Sequence, residues 1–278
     1  MKIVRIVFVV VLVFVIFVPA HKTKPGEYEH KVVNYVALGD SIAGGYGLDD
    51  VEKESYVGRI SLALEKRYGA VRVHNFGENG LRSEELLERL TDPESPQYDE
   101  YMDAIRQADI ITLSIGSNDL LQYISRSTDL EEVKKDGDRI FTEACRKFSE
   151  NIPRILQTIT VNAPNAQLFV NNIYNPCHDI SFHISEDVIK NLDKMAEKYI
   201  EEINNGFYTE KTQSVFHSQN TNGLKQDYAL VDVKGAFDNS NEKLINMAIS
   251  WRNIDPHPNK EGHRVIAELI IPRISLNK

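Results

Sequence analysis

Cysteine is scarce in this chain of 278 residues: there are two, Cys145 and Cys177. Neither has a Cys or His neighbour at metal-ligand spacing, and His74, His178, His183 and His217 share no such spacing either, so the sequence implies no metal site. A chain of this length buries enough core to fold without a disulfide. One bridge between the two cysteines and two separate thiols both stay open. Basic residues are outnumbered, 32 Lys and Arg against 41 Asp and Glu, for a formal charge of −9. Such a surface repels phosphate backbones and argues against nucleic acid as a partner. Nucleotide loops are missing too. Gly44-Gly45-Tyr46-Gly47 lacks both the Lys-Ser/Thr ending of a phosphate loop and the glycine spacing of a dinucleotide site, so no cofactor is implied. It reads instead as access for a substrate, or as a mobile loop. No Gly-x-Ser-x-Gly elbow surrounds Ser41, because position 43 is Ala, which argues against the α/β-hydrolase fold.

Long apolar runs occur in one place only. Lys2 and Arg5 precede an unbroken apolar stretch from Ile6 to Val18, followed by Val18-Pro19-Ala20. At about 1.5 Å per residue that stretch spans about 20 Å, short of the roughly 30 Å hydrocarbon core of a bilayer. Residues 1–20 therefore read as a signal peptide cut near Ala20, or else as a retained N-terminal membrane anchor. Either way the protein is expected outside the cytoplasm, secreted or held at the outer face of the membrane. Residues 21–30, with Pro25-Gly26, read as a short tether, and residues 31–278 as one domain.

Within that domain, short β-branched runs alternate with stretches of helical period. Val32 to Leu38, Val71 to Phe76, Ile110 to Ile115, Gln167 to Tyr174 and Ala229 to Val233 read as strands. Helical periods run through Tyr56 to Tyr68, around Leu86, Leu87 and Leu90, and through Asp187 to Ile203. The last covers Glu261 to Ile271 and is stopped by Pro272. A further helix around Ile140 to Ile159 is expected to be interrupted at Pro153. Gln213 to Gln226, polar and Asn-rich, reads as a surface loop. The alternation predicts a parallel five-stranded sheet covered by helices on both faces.

Ligands of such sheets bind beyond the carboxyl ends of the strands. Gly39-Asp40-Ser41 follows the first strand, and Gly77 to Gly80 the second. Gly116-Ser117-Asn118-Asp119 follows the third, and Asp255-Pro256-His257-Pro258 precedes the last helix. A serine needs a base to become nucleophilic, and His257 is the candidate. Asp255 can orient that imidazole. The backbone amides of Ser41 and Gly80, with the Asn118 side-chain amide, can stabilise a developing oxyanion. Gly77 competes with Gly80 for that role. Asp40 reads as a turn or helix cap, Asp119 as structural, and His263 as a packing or surface histidine.

These four blocks, in this order, resemble the GDSL or SGNH hydrolase family. The resemblance implies a flavodoxin-like three-layer α/β/α fold that hydrolyses esters or thioesters without a metal. It also implies Ser41 as nucleophile, Asp255 and His257 as the rest of a triad, and Ser41, Gly80 and Asn118 as the oxyanion hole. Two departures stand out. Ile42 replaces the leucine that names the family, and the acid precedes the histidine by two positions where three is usual, position 254 being Ile. Asp232 is the reserve acid. The expected activity is a lipase-like acyl hydrolase acting on a small-molecule, lipid or glycan ester. The competing readings are a carbohydrate O-acetylesterase and a non-catalytic surface binding module. The oligomeric state is not legible.

Overall fold

A computed structural model describes residues 32–126, 130–176, 186–208, 228–246 and 255–276. The chain divides into two units, residues 1–30 and 31–278. The first lies outside the described residues, and with it the expected export segment and tether. Cys177, Ile254 and the Gln213–Gln226 loop lie outside them as well.

Five strands form one sheet: β1 (Val33–Gly39), β2 (Val71–Gly77), β3 (Ile110–Ser114), β4 (Gln167–Asn171) and β5 (Ala229–Val231). Their order is β2-β1-β3-β4-β5, and every pairing is parallel. Parallel neighbours need crossovers, and helices supply them. In order these are α1 (Ser41–Gly44), α2 (Val51–Glu54), α3 (Tyr56–Tyr68), α4 (Ser83–Thr91), α5 (Tyr98–Gln107), α6 (Ser117–Arg126), α7 (Leu130–Asn162) and α8 (Glu186–Asn205). After β5 come α9 (Val233–Asp238) and α10 (Lys260–Ile270).

Strand side chains alternate between faces. From β1 and β3, Val36, Leu38, Ile111 and Leu113 face a core built with α4, α5, α7 and α8. Tyr35, Ala37 and Ile110 face a second core closed by Tyr56, Ile60 and Leu64 of α3 and Ile266 and Ile270 of α10. Because both faces are covered, these strands are apolar almost throughout. β2 is one of the two edge strands and is correspondingly half-exposed.

Pro153 does not interrupt its helix, contrary to the sequence expectation: α7 runs through it unbroken. Proline removes one helical hydrogen bond. The buried side chains Ile152, Ile155, Leu156 and Ile159 anchor the turns on either side to the core and offset that loss. Cys145, in the same helix, is a free buried thiol that donates to the Tyr199 carbonyl at 3.6 Å.

The register positions the site. Gly39 is level with Gly77 on one side and Ser114 on the other, so three neighbouring strands end at the same edge.

Candidate active site

The end of β1 is tied to both neighbours. Asp40 N donates to Ser114 O at 2.9 Å, and Glu78 N donates to Gly39 O at 3.0 Å. Asp40 then caps α1, its Oδ1 accepting from Ile42 N at 3.0 Å, so Ser41 is the first helical residue and is buried. α1 lies directly on β2, where Asn75 Nδ2 donates to Ala43 O at 3.0 Å. A Cβ on Gly77 would sit 2.0 Å from Gly44 N, so position 77 is glycine for this packing.

Gly80 differs. Its φ of +81° is a left-handed conformation, and an added Cβ would meet nothing within 4 Å. The space on the side where a Cβ would stand is open, so backbone and substrate can approach each other there. Its loop is clamped by Arg89, which donates to both Glu78 oxygens at 2.7 and 3.0 Å. On the far side Arg82 bonds Glu85 at 2.7 Å and Gln122 of α6 at 2.8 Å. Asn118, the second residue of α6, donates from Nδ2 to Leu81 O at 3.1 Å. That bond uses one of its two amide hydrogens and places Asn118 against the residue next to Gly80. Asp119 is the pin behind it: its oxygens accept from Ser83 N at 3.0 Å and Ser83 Oγ at 2.5 Å. Burial holds the Asp119 carboxyl above its ordinary pKa.

The histidine arrives from outside the sheet. Asn246 N donates to His257 O at 2.8 Å, Asn259 N to Leu244 O at 2.9 Å, and Ile245 bridges Pro258 antiparallel. Tyr174 Oη donates to Pro256 O at 2.5 Å from the end of β4. Immediately beyond, the Asn259 side chain caps α10 by accepting from Glu261 N at 2.8 Å and Gly262 N at 3.0 Å. So held, His257 Nε2 lies 2.8 Å from Ser41 Oγ, and Nδ1 lies 2.5 Å from Asp255 Oδ1. The tautomer with its proton on Nδ1 donates to Asp255 and accepts from the serine hydroxyl. The two-residue spacing works because Asp255 Oδ1 also accepts from His257 N at 3.1 Å, folding the carboxylate back over the histidine it precedes.

The reserve residues are engaged elsewhere. Asp232 caps α9, its Oδ1 accepting from Asn172 Nδ2 at 2.8 Å and Gly235 N at 2.9 Å. His263 is buried in α10, and its Nδ1 accepts from Tyr56 N at 3.2 Å. Burial pushes its pKa down to about 3, leaving a neutral packing residue. Asp40 is more unusual than a simple cap. It is buried, Oδ2 has no partner, and burial pushes its pKa up to about 7. Among the described residues no group of three or more His, Cys, Asp or Glu converges to hold a metal ion.

Two features escape the sequence reading. Tyr174, placed by β4, supports the histidine segment. Tyr46 lays its ring against His257, with centroids 4.6 Å apart at 46°. The flanking glycines of Gly44-Gly45-Tyr46-Gly47 are the one sequence signal that marks it.

This geometry has close company. The chain is 27% identical over 262 residues to YpmR of Bacillus subtilis (strain 168), covering 92% of this chain and 85% of that one. It is 30% identical over 149 residues to the spore germination lipase LipC of Bacillus licheniformis, covering 52% of this chain and 65% of LipC. In three dimensions it is similar to the lipase Lip_vut3 from a goat rumen metagenome. The TM-score is 0.60 at 22% identity, over 86% of this chain and 96% of the other, which speaks to the fold. Residues 37–265 match the GDSL-like Lipase/Acylhydrolase family, a span that holds all four sequence blocks and both halves of the site. The chain is a member of that family of ester hydrolases.

Proposed function

We propose that this protein is an extracytoplasmic serine esterase, a lipase-like acyl hydrolase that works through an acyl-enzyme on Ser41. The observation that carries the reading is the continuous relay Ser41 Oγ–His257 Nε2, 2.8 Å, and His257 Nδ1–Asp255 Oδ1, 2.5 Å. In acylation His257 Nε2 takes the Ser41 proton as Oγ bonds to the ester carbonyl carbon. The carbonyl oxygen becomes an oxyanion, held by the amides of Ser41 and Gly80 and the free N–H of Asn118 Nδ2. As the intermediate collapses, the bond to the leaving oxygen breaks and that oxygen takes the proton from Nε2. Water then repeats the sequence on the acyl-serine, releasing the acid and restoring Ser41. Asp255 holds the imidazole in the required tautomer and faces the imidazolium when it forms.

The spore germination lipase LipC, similar over half of this chain, supports an acyl ester as substrate. Export is part of the same proposal, on Lys2, Arg5 and the apolar run Ile6–Val18. The test is hydrolysis of a short-chain aryl ester by the wild type and by Ser41→Ala. The variant is expected to fold and to lose turnover, and a fluorophosphonate is expected to label Ser41 alone. Wild-type turnover in Ser41→Ala would remove the nucleophile assignment. N-terminal sequencing of protein recovered outside the cell tests the leader.

A further inference from the structure

Tyr46 stands out among the described aromatic residues: it is 48% exposed, yet its ring lies 4.6 Å from that of His257. An exposed tyrosine is ordinary, but one held against a catalytic-type imidazole is in the path of whatever reaches it. The turn that presents it is built. Tyr46 N donates to Ser41 O at 3.0 Å, and Leu48 N to Gly45 O at 3.3 Å. Gly45 and Gly47 carry φ of +72° and +83°, left-handed torsions on both sides of the ring that glycine adopts at no steric cost. A Cβ at position 47 would lie 3.3 Å from Asn246 Nδ2 and 3.7 Å from Asp255 Oδ2. The turn is therefore fitted against the segment that bears the acid, and Tyr46 is fixed relative to both the nucleophile and the histidine.

The chemistry then says which part of a substrate meets this ring. The leaving oxygen receives its proton from His257 Nε2, so it must come within hydrogen-bond reach of that atom. The carbonyl oxygen points the other way, to Gly80 and Asn118 on the loops of the strands flanking β1. The group attached to the leaving oxygen thus passes beside His257 and over Tyr46.

We infer that Tyr46 is a substrate-contacting residue that reads the alcohol half of the ester, favouring alcohols that present a ring to its face. This rests on the serine-esterase reading. A flat aromatic face with a hydroxyl at its tip suits an aryl alcohol by stacking, and a sugar ring by contact with its C–H faces. Both share one chemistry, a ring stacked on an aromatic plane.

The experiment holds the acyl group constant as acetyl and varies the alcohol: ethyl acetate, phenyl acetate and an acetylated methyl pyranoside. kcat/KM is compared for the wild type, Tyr46→Ala and Tyr46→Phe, because it reports acylation while the alcohol is still attached. Tyr46→Ala is expected to lose about three- to tenfold on the ring alcohols, carried by KM, as fits one aromatic contact. On ethyl acetate it should change less than twofold, and Tyr46→Phe should keep the ring preference. The ring arm with the larger loss identifies an aryl or a sugar alcohol. Equal loss on all three alcohols overturns the inference, as does a loss confined to kcat with a displaced acid limb, which makes Tyr46 a prop for His257. Fluorophosphonate labelling separates the two claims. If Tyr46→Ala is labelled at Ser41 but its alcohol preference is unchanged, only the Tyr46 inference fails. If wild-type Ser41 is not labelled, the esterase reading itself fails.

Discussion

Replacing Asp40 by asparagine should change the pH dependence of stability in a way that few single substitutions can. In the folded protein the Asp40 carboxyl is buried with Oδ2 unpartnered, and burial raises its pKa from 3.8 to about 7. The charge that bears on it does not relieve this, since Asp119 pushes the same way; hydrogen bonding, chiefly from the Ile42 amide to Oδ1, opposes it. A carboxyl whose folded pKa is raised contributes stability that is fully present below its unfolded pKa and lost as the pH rises through the folded one. Between pH 3.8 and about 7 the unfolded chain releases this proton while the folded chain keeps it. The cost is about 1.4 kcal/mol per pH unit, reaching about 4 kcal/mol near neutrality. His263 acts in the opposite sense, since its pKa falls from 6.5 to about 3 on folding, so its contribution is present above 6.5 and lost toward 3. Over pH 4 to 6.5 the two slopes oppose, and the wild type conceals both. Asp40→Asn keeps an oxygen for Ile42 N and carries no charge at any pH. Urea unfolding from about pH 4 to 8 should show the variant gaining about 4 kcal/mol on the wild type across that range. Curves for the two proteins that stay parallel to within about 1 kcal/mol would refute a protonated Asp40 in the folded state.

The remaining predictions concern turnover. Asn118→Ala should lower kcat by about a hundred- to a thousandfold with little change in KM, because an oxyanion exists only in the transition state. A raised KM with unchanged kcat would assign Asn118 to ground-state binding. Asp255→Asn should cost at least about a hundredfold more activity than Asp232→Asn, since the wrong imidazole tautomer results. Asp232, committed to Asn172 and Gly235, should affect stability instead, read by its unfolding midpoint. Equal loss of activity in both variants would reverse the choice of acid.

Much of the fold is legible in the residues themselves. β1 and β3 are readable because burial on both faces leaves little but β-branched and aliphatic side chains, as in Ile110-Ile111-Thr112-Leu113. β2 is readable despite Arg72 and His74, because an edge strand tolerates polar residues, and despite Asn75, whose side chain is spent on the Ala43 carbonyl of α1. Pro153 misleads, since local chemistry says break while tertiary packing of Ile152 and Ile155 says continue. In the site, Ser41 and His257 stand in blocks whose spacing survives in sequence, and the structure brings their side chains together. The geometry of Asp255 is not legible, because it depends on one carboxylate oxygen meeting both the amide and the ring of a residue two positions on. Tyr46 is hidden for a related reason: its direction is set by the torsions of Gly45 and Gly47, which composition does not carry. Asp40 declares its cap in sequence, but its burial beside the end of β3, with Oδ2 unpartnered, appears only in the fold.

That shared oxygen of Asp255 has a mechanical consequence. The histidine is fastened to its acid by its own backbone as well as by its ring, at 3.1 and 2.5 Å, whereas it meets the serine through a single contact of 2.8 Å. In the proposed triad, acid and base are thus coupled by two contacts and base and nucleophile by one, so a displacement of the segment is expected to act first on the joint to Ser41. A segment displaced in this way is expected to keep the histidine on its acid and to lose the contact with the proposed nucleophile. Its failure registers as a serine that no longer reacts with a fluorophosphonate, while the imidazole signature in a proton NMR spectrum persists.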